Sequence, residues 1–229
     1  MELQKLVYLL LLLTYLIIPV VMSFKNKIRF FIRLRYLIPA VLFAGAIFVM
    51  WDIRFTEFEI WTYNPEYLTG INLLNIPVEK WLSLAIIPIS GAYIYEGLKV
   101  KTENSDKSNI FVAISLAVFV ALAVLAYVYR RNVFSFFTYF LTAIYLGYTI
   151  FRNRFKSHYF TFYITYLVML IPFVFVSAFI GNLPVIAYSA DQIMGLSIFA
   201  VPFEKFAYLF LMLLINLTIY EYLNERRYY

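Results

Sequence analysis

Ile76-Pro77-Val78-Glu79-Lys80-Trp81 recurs 125 positions later as Val201-Pro202-Phe203-Glu204-Lys205-Phe206. The same offset carries Gly70 onto Gly195 and Ile94-Tyr95-Glu96 onto Ile219-Tyr220-Glu221. A Gly, a Pro, a Glu and a Tyr-Glu pair thus keep one spacing in two copies, which points to a duplicated unit. The repeated carboxylates sit inside apolar segments, where charge is costly and usually functional.

The surroundings of the motif set the fold class. Of 229 residues, 64% are hydrophobic and only 14% charged, against about half and a quarter in a soluble domain. One globule of this size cannot hide that much apolar surface, so lipid is the expected solvent. Apolar stretches near the roughly 20-residue length that spans a bilayer fall at 3–22, 36–53, 76–98, 109–129, 133–151, 160–180 and 197–222. Period-2 alternation is absent, so helices rather than a barrel are expected. The first run, Leu6 to Met22, has no convincing small-residue cleavage site and reads as a retained span rather than a signal peptide.

The predicted fold is an all-α polytopic membrane protein with seven transmembrane helices, two parallel three-helix repeats joined by a linker helix. The repeats cover 1–100 and 133–229, and 101–132 holds a polar linker (Lys101 to Asn109) and the fourth span. The match of Phe24-Lys25-Asn26-Lys27 to Phe151-Arg152-Asn153-Arg154 supports the division. Three spans plus one return the chain to its starting direction, so the repeats are related by a pseudo-two-fold along the membrane normal, and a site is expected near that axis. Lys25, Lys27, Arg29, Arg33 and Arg35, then Lys99, Lys101 and Lys107, then Arg152, Arg154 and Lys156, and finally Arg226 and Arg227 all fall on one side. The positive-inside rule then puts the N-terminus outside and the C-terminus in the cytoplasm, in a cytoplasmic (inner) membrane.

Composition also excludes functions. There is no cysteine and a single His158 in a basic loop, so neither a metal site nor a His-based triad is expected. The net charge of +6 comes from basic residues scattered between apolar runs, which is no nucleic-acid signal. No Gly-x-Gly-x-x-Gly follows a strand, so no dinucleotide cofactor is expected.

The motif itself suggests chemistry. Glu79 lies in the first turn of span 3, and Glu96 lies 17 residues on, about 25 Å along a helix. Glu204 and Glu221 take the same depths. Across the pseudo-two-fold, Glu79 approaches Glu204 and Glu96 approaches Glu221. Carboxylates that meet in a low-dielectric site do not all ionise, and one then serves as a Brønsted acid. The bland alternatives are an interfacial ion pair or helix cap for Glu79, and partners such as Lys99 or Arg226 for Glu96 and Glu221. Trp51, Trp61 and Trp81 fall on the outer side, where an interfacial belt accounts for them. Trp81 and Phe206, next to the Glu-Lys pairs, are the rings expected in the site, where their π faces would steady a cation.

Trp51-Asp52-Ile53, Asn64-Pro65-Glu66-Tyr67-Leu68-Thr69-Gly70, Pro77-Val78-Glu79, Tyr95-Glu96 and their second-copy partners resemble the small membrane lycopene cyclases. These are the heterodimer-type carotenoid cyclases, with single-chain fusions in bacteria and archaea and fused forms in fungi. The resemblance covers essentially the whole chain. It implies redox-neutral, cofactor-free cyclisation of linear ψ end groups to β rings: a proton adds at C2, the C5=C6 bond attacks the C1 cation, and loss of the C6 proton closes the ring. With the duplication, it points to Glu79 and Glu204 as catalytic acids; Asp52, Glu66, Lys80, Lys205, Trp81, Phe206, Glu96, Glu221, Tyr95 and Tyr220 are expected to support them or line the substrate. The implied partner is a lipophilic carotenoid or other isoprenoid entering from membrane lipid; homo-oligomerisation stays open.

One departure stands out. The family motif reads Pro-x-Glu followed by a second acid, whereas Lys80 and Lys205 stand there. An ammonium next to the glutamate favours carboxylate over acid, unless each lysine snorkels outward. The alternative is therefore a non-catalytic carotenoid- or isoprenoid-binding paralogue. A retinal-binding rhodopsin is disfavoured because Lys205 lies at the end of its span. A parallel-repeat transporter is disfavoured because Asn72, Asn75, Asn216 and Thr218 are too few polar groups to line a path.

Overall fold

The computed structural model describes residues 2–17, 19–20, 30–102, 108–183 and 185–225. Short helices α1 (Glu2–Lys5) and α2 (Val7–Leu13) lead into long helices α3 (Phe30–Glu57), α4 (Val78–Thr102), α5 (Ser108–Val128), α6 (Val133–Arg152), α7 (Tyr159–Asn182) and α8 (Glu204–Glu225). The chain is an all-α polytopic membrane protein, and these six long helices are each long and apolar enough to cross a bilayer. Within the first apolar run, the apolar helix among the described residues is Val7–Leu16. The Thr14 hydroxyl donates to the Leu11 carbonyl at 2.6 Å, where the chain tightens to 3₁₀ over Thr14–Leu16. The rest of that run, the basic segment Lys25–Arg29, the centre of the polar linker and the Arg226–Arg227 tail lie outside the described residues.

Helices 3 and 7 of the sequence reading begin later than their apolar runs. Ile76–Pro77 (β3) pairs with Asn72–Leu73 (β2), and Val201–Pro202 (β6) pairs with Ser197–Ile198 (β5). Each hairpin turns through two residues of positive φ, Leu74 and Asn75 in one, Phe199 and Ala200 in the other. Two such residues suit the tight turn of a two-residue hairpin, although side chains ordinarily avoid that region. Gly70 and Gly195, at φ +84 and +81, make the preceding bend, where glycine adopts the conformation freely. All these features recur at the 125-residue offset.

Trp61–Tyr63 (β1) pairs antiparallel with Ile186–Tyr188 (β4), with Thr62 opposite Ala187. The ladder is unchanged when each residue is exchanged for the one 125 away, so a local two-fold passes between Thr62 and Ala187. The helix contacts obey the same exchange: α3 packs on α8 and α7 on α4, while α2 meets α4 and α6 meets α8. Helices α4 and α8 also touch. A Cβ at Gly91 would overlap the Leu213 side chain, and Asn216 donates to the Pro88 carbonyl at 3.3 Å.

Candidate functional site

The two motif glutamates begin α4 and α8. Glu79 is fully buried, and its Oε1 accepts the Thr69 N–H at 2.7 Å. Glu204 is equally buried, and its Oε1 accepts the Met194 N–H at 2.7 Å and the Ser135 hydroxyl at 2.5 Å. Met194 is Thr69 carried forward by the repeat offset. Each glutamate therefore fastens the loop of its own copy to the first turn of its own helix, where a carboxylate also suits the helix dipole. The expected approach of Glu79 to Glu204 is not among the described contacts. In both, Oε2 is buried without a hydrogen-bond partner.

The lysines that follow do not snorkel outward. Lys80 and Lys205 are only 6% and 9% exposed. One residue along a helix is a rotation of about 100°, which turns them from the loops toward the interior between the two copies. Lys80 Nζ lies 3.2 Å from Asp52 Oδ2, and Asp52 is itself fully buried near the end of α3. The Tyr208 hydroxyl donates to Asp52 Oδ1 at 3.0 Å. Lys205 has no carboxylate within ion-pairing distance among the described residues. Its Nζ instead lies over the rings of Trp61 at 4.7 Å, Tyr208 at 5.0 Å, Tyr188 at 5.2 Å and Phe134 at 5.6 Å. Lys80 faces two of the same rings, Tyr208 at 5.1 Å and Trp61 at 5.7 Å. Ring faces attract cations most strongly when water is excluded.

A narrow cavity of about 70 Å³ adjoins this centre. Lys80, Lys205, Tyr188 and Tyr208 line one part, and Leu12, Leu84, Ile87, Val176 and Met212 are among its apolar walls. Glu79, Glu204 and Asp52 do not line it. Tyr63 and Tyr188 lie outside the spans; burial and then the Asp52 carboxylate hold both phenols well above the ordinary tyrosine value, with Glu204 adding to the effect at Tyr188.

The Tyr-Glu pairs build a separate cluster at the other end of α4 and α8. The Tyr220 hydroxyl donates to Glu96 at 2.7 Å, so the tyrosine of one copy serves the glutamate of the other. Lys99 Nζ donates to both oxygens of Glu221, at 2.6 and 2.8 Å. His158 shares a hydrogen bond with the Tyr95 hydroxyl at 2.8 Å and meets Glu225 at 3.2 Å. The bland reading of Glu221 as a partner of Lys99 therefore describes its contact, while Glu96 accepts the Tyr220 phenol. The oxygens of Glu221 and Glu225 and a His158 nitrogen lie within 4.8 Å of one another, but the Lys99 ammonium already occupies Glu221.

Other expectations need correction. The Trp81 indole donates to the Leu73 carbonyl at 3.1 Å and braces the β2–β3 hairpin. Phe206 packs against Phe173 and Phe203, with centroids 5.6 and 5.9 Å away. Neither ring is among those over the ammonium groups, because the helical rotation that carries the lysines inward carries the next residue past the centre. Glu66 is exposed, its N–H capped by Asn64. Trp61 is no belt residue: it is 1% exposed, directly beside the local two-fold. Trp51 is also buried, stacked on Phe48 and edge-on to Tyr208. The sequence reading missed Tyr188, Tyr208, Phe134 and Ser135. Two carried a usable signal: Tyr188 is the repeat partner of Tyr63, and Tyr208 lies three residues after Lys205, on the same helix face.

The family model described as Lycopene cyclase matches residues 5–98 and 131–223, which takes in both copies of the motif, Asp52, Lys80, Lys205 and both Tyr-Glu pairs. No curated protein and no solved structure matches the chain. With most of its length matched in two segments, the chain belongs to the lycopene cyclase family.

Proposed function

We propose that this chain acts on a linear carotenoid-type polyene taken from the bilayer and cyclises its ψ end groups to β rings by acid–base chemistry. Glu79 and Glu204 are the proton carriers in this reading. The observation that carries it is that both are fully buried at equivalent positions, each with one oxygen tied to a backbone N–H and the other without a hydrogen-bond partner. A protonated carboxyl places its proton on the free oxygen, delivers it to C2, and the carboxylate takes up the C6 proton, so the cycle closes without a redox cofactor. The three-part organisation of 1–100, 101–132 and 133–229 serves this by setting the two copies about one axis. The chain then sits in the cytoplasmic membrane with its N-terminus outside.

A second reading rests on one observation: the cavity is lined by Lys80 and Lys205 and not by the glutamates. An ammonium is a far weaker acid than a carboxyl group, and Lys205 fills an aromatic cage that would otherwise suit a substrate cation. In this reading the chain holds an isoprenoid without cyclising it.

Lycopene-producing cells expressing the chain distinguish the two. Conversion to monocyclic or bicyclic carotene, lost in Glu79→Gln and Glu204→Gln at equal membrane abundance, supports the cyclase. Unchanged lycopene with the protein present in the membrane supports the holder. Recovery of cyclisation in the double variant Lys80→Glu, Lys205→Asp would trace the silence to the lysines.

A further inference from the structure

The lysine centre has chemistry that neither reading uses. Lys205 is buried in α8, lacks a carboxylate within ion-pairing distance among the described residues, and shares the rings of Trp61 and Tyr208 with a second cation, Lys80. A lysine removed from water, or set beside another cationic group, is the kind of amine that enzymes use to capture carbonyl carbon as a Schiff base. The cavity that both lysines line has mostly apolar walls, so the carbonyl compounds it admits are lipophilic.

We propose that Lys205 is a covalent capture site for an isoprenoid aldehyde, forming an imine with its terminal carbonyl carbon. The Nζ lone pair attacks that carbon and makes a C–N bond. The carbonyl oxygen takes up two protons and leaves as water. Overall, ammonium plus aldehyde gives protonated imine plus water, with no change in net charge and no external oxidant or reductant. The surroundings suit the product. The protonated imine is a cation at the place of the ammonium, so the rings of Trp61, Tyr188 and Tyr208 hold it as they hold Lys205. Asp52 and Glu204, which act electrostatically on Lys205, keep the same balance of charge. Lys80 is the poorer nucleophile because it is engaged by Asp52 at 3.2 Å.

The test uses the full chain in detergent or vesicles, with citronellal as the probe and cyanoborohydride to trap the imine. Citronellal is a ten-carbon isoprenoid aldehyde without conjugation to its carbonyl, so amine addition to an enal cannot mimic the result. Peptide mapping is expected to place the reduced adduct predominantly on Lys205, with exposed Lys5 as the internal reference. Omitting the reductant should leave a reversible adduct that dialysis removes, and citronellol should leave none. Lys205→Arg should lose the adduct, and Lys80→Arg should keep it. Label spread evenly over Lys5 and Lys205, label centred on Lys80, or undiminished labelling of Lys205→Arg would each overturn the proposal. If Lys205→Arg does not fold, the map of the unaltered protein still decides. Pigment conversion plays no part in the readout, so failure here and failure of the cyclase reading are separately visible.

Discussion

Lys80 and Lys205 occupy equivalent positions in the two copies, yet their surroundings differ. Lys80 has a carboxylate, Asp52, at 3.2 Å; Lys205 has rings. The cause is legible at two pairs of positions. The repeat partner of Asp52 is Ser177, and the partner of Tyr208 is Ser83. One copy thus supplies the acid, the other the phenol that donates to it; both lysines face the Tyr208 ring, and Lys80 alone is within ion-pairing distance of Asp52. The two copies present matching loops and helix starts, and different residues at these two pairs of positions make one asymmetric centre between them.

The largest expected effect comes from breaking the paired lysine. Lys80→Met leaves Asp52 buried without its cation and should cost about 3–5 kcal/mol, read as a large fall in melting temperature in detergent. The double variant Asp52→Leu, Lys80→Met should recover most of that loss. A Lys80→Met protein as stable as the parent would show that the pair does not govern the centre.

Next in size are the glutamates. Glu204→Ala abandons two donors, Met194 N–H and the Ser135 hydroxyl, whereas Glu79→Ala abandons one. With about 1–3 kcal/mol for each buried group left unsatisfied, Glu204→Ala should be the more damaging. Amide exchange should rise at Met194 in one variant and at Thr69 in the other. Equal losses would mean that Ser135 contributes nothing.

Lys205→Met should be milder than Lys80→Met, since it loses a cation–π contact of about 0.5–2 kcal/mol while removing a buried charge. A melting temperature within a few degrees of the parent is expected. A loss as large as that of Lys80→Met would erase the proposed asymmetry.

The smallest effect concerns pH. Tyr63 and Tyr188 bind their protons more tightly folded than unfolded. Their contribution to stability is present below about pH 10, the ordinary tyrosine value, and is lost as pH rises through the folded value. Melting temperature should therefore fall above about pH 10, and Tyr188→Phe should flatten that fall. An unchanged alkaline slope in the variant would remove Tyr188 as its source.

Much of the architecture was legible because it rests on patterns local in sequence. Long apolar runs mark α3 through α8, and the 125-residue offset marks the equivalent loops. The hairpins were hidden inside apolar runs: Ile76–Pro77 and Val201–Pro202 read as helix because hydropathy does not register two-residue turns of positive φ. Trp61 was misplaced because a tryptophan near a span end fits a belt and an interior equally well. Only the β1–β4 pairing puts it beside the axis.

The sequence by itself determined the membrane class, the repeated motif and the lysine after each motif glutamate, Lys80 and Lys205, because composition, period and residue identity are properties of the chain alone. Tertiary structure decided which way those residues face. The local rotation along α4 and α8 turns Glu79 and Glu204 toward their own loops and the lysines toward each other, and contacts between residues more than a hundred positions apart bring Asp52, Trp61 and Tyr208 to meet them.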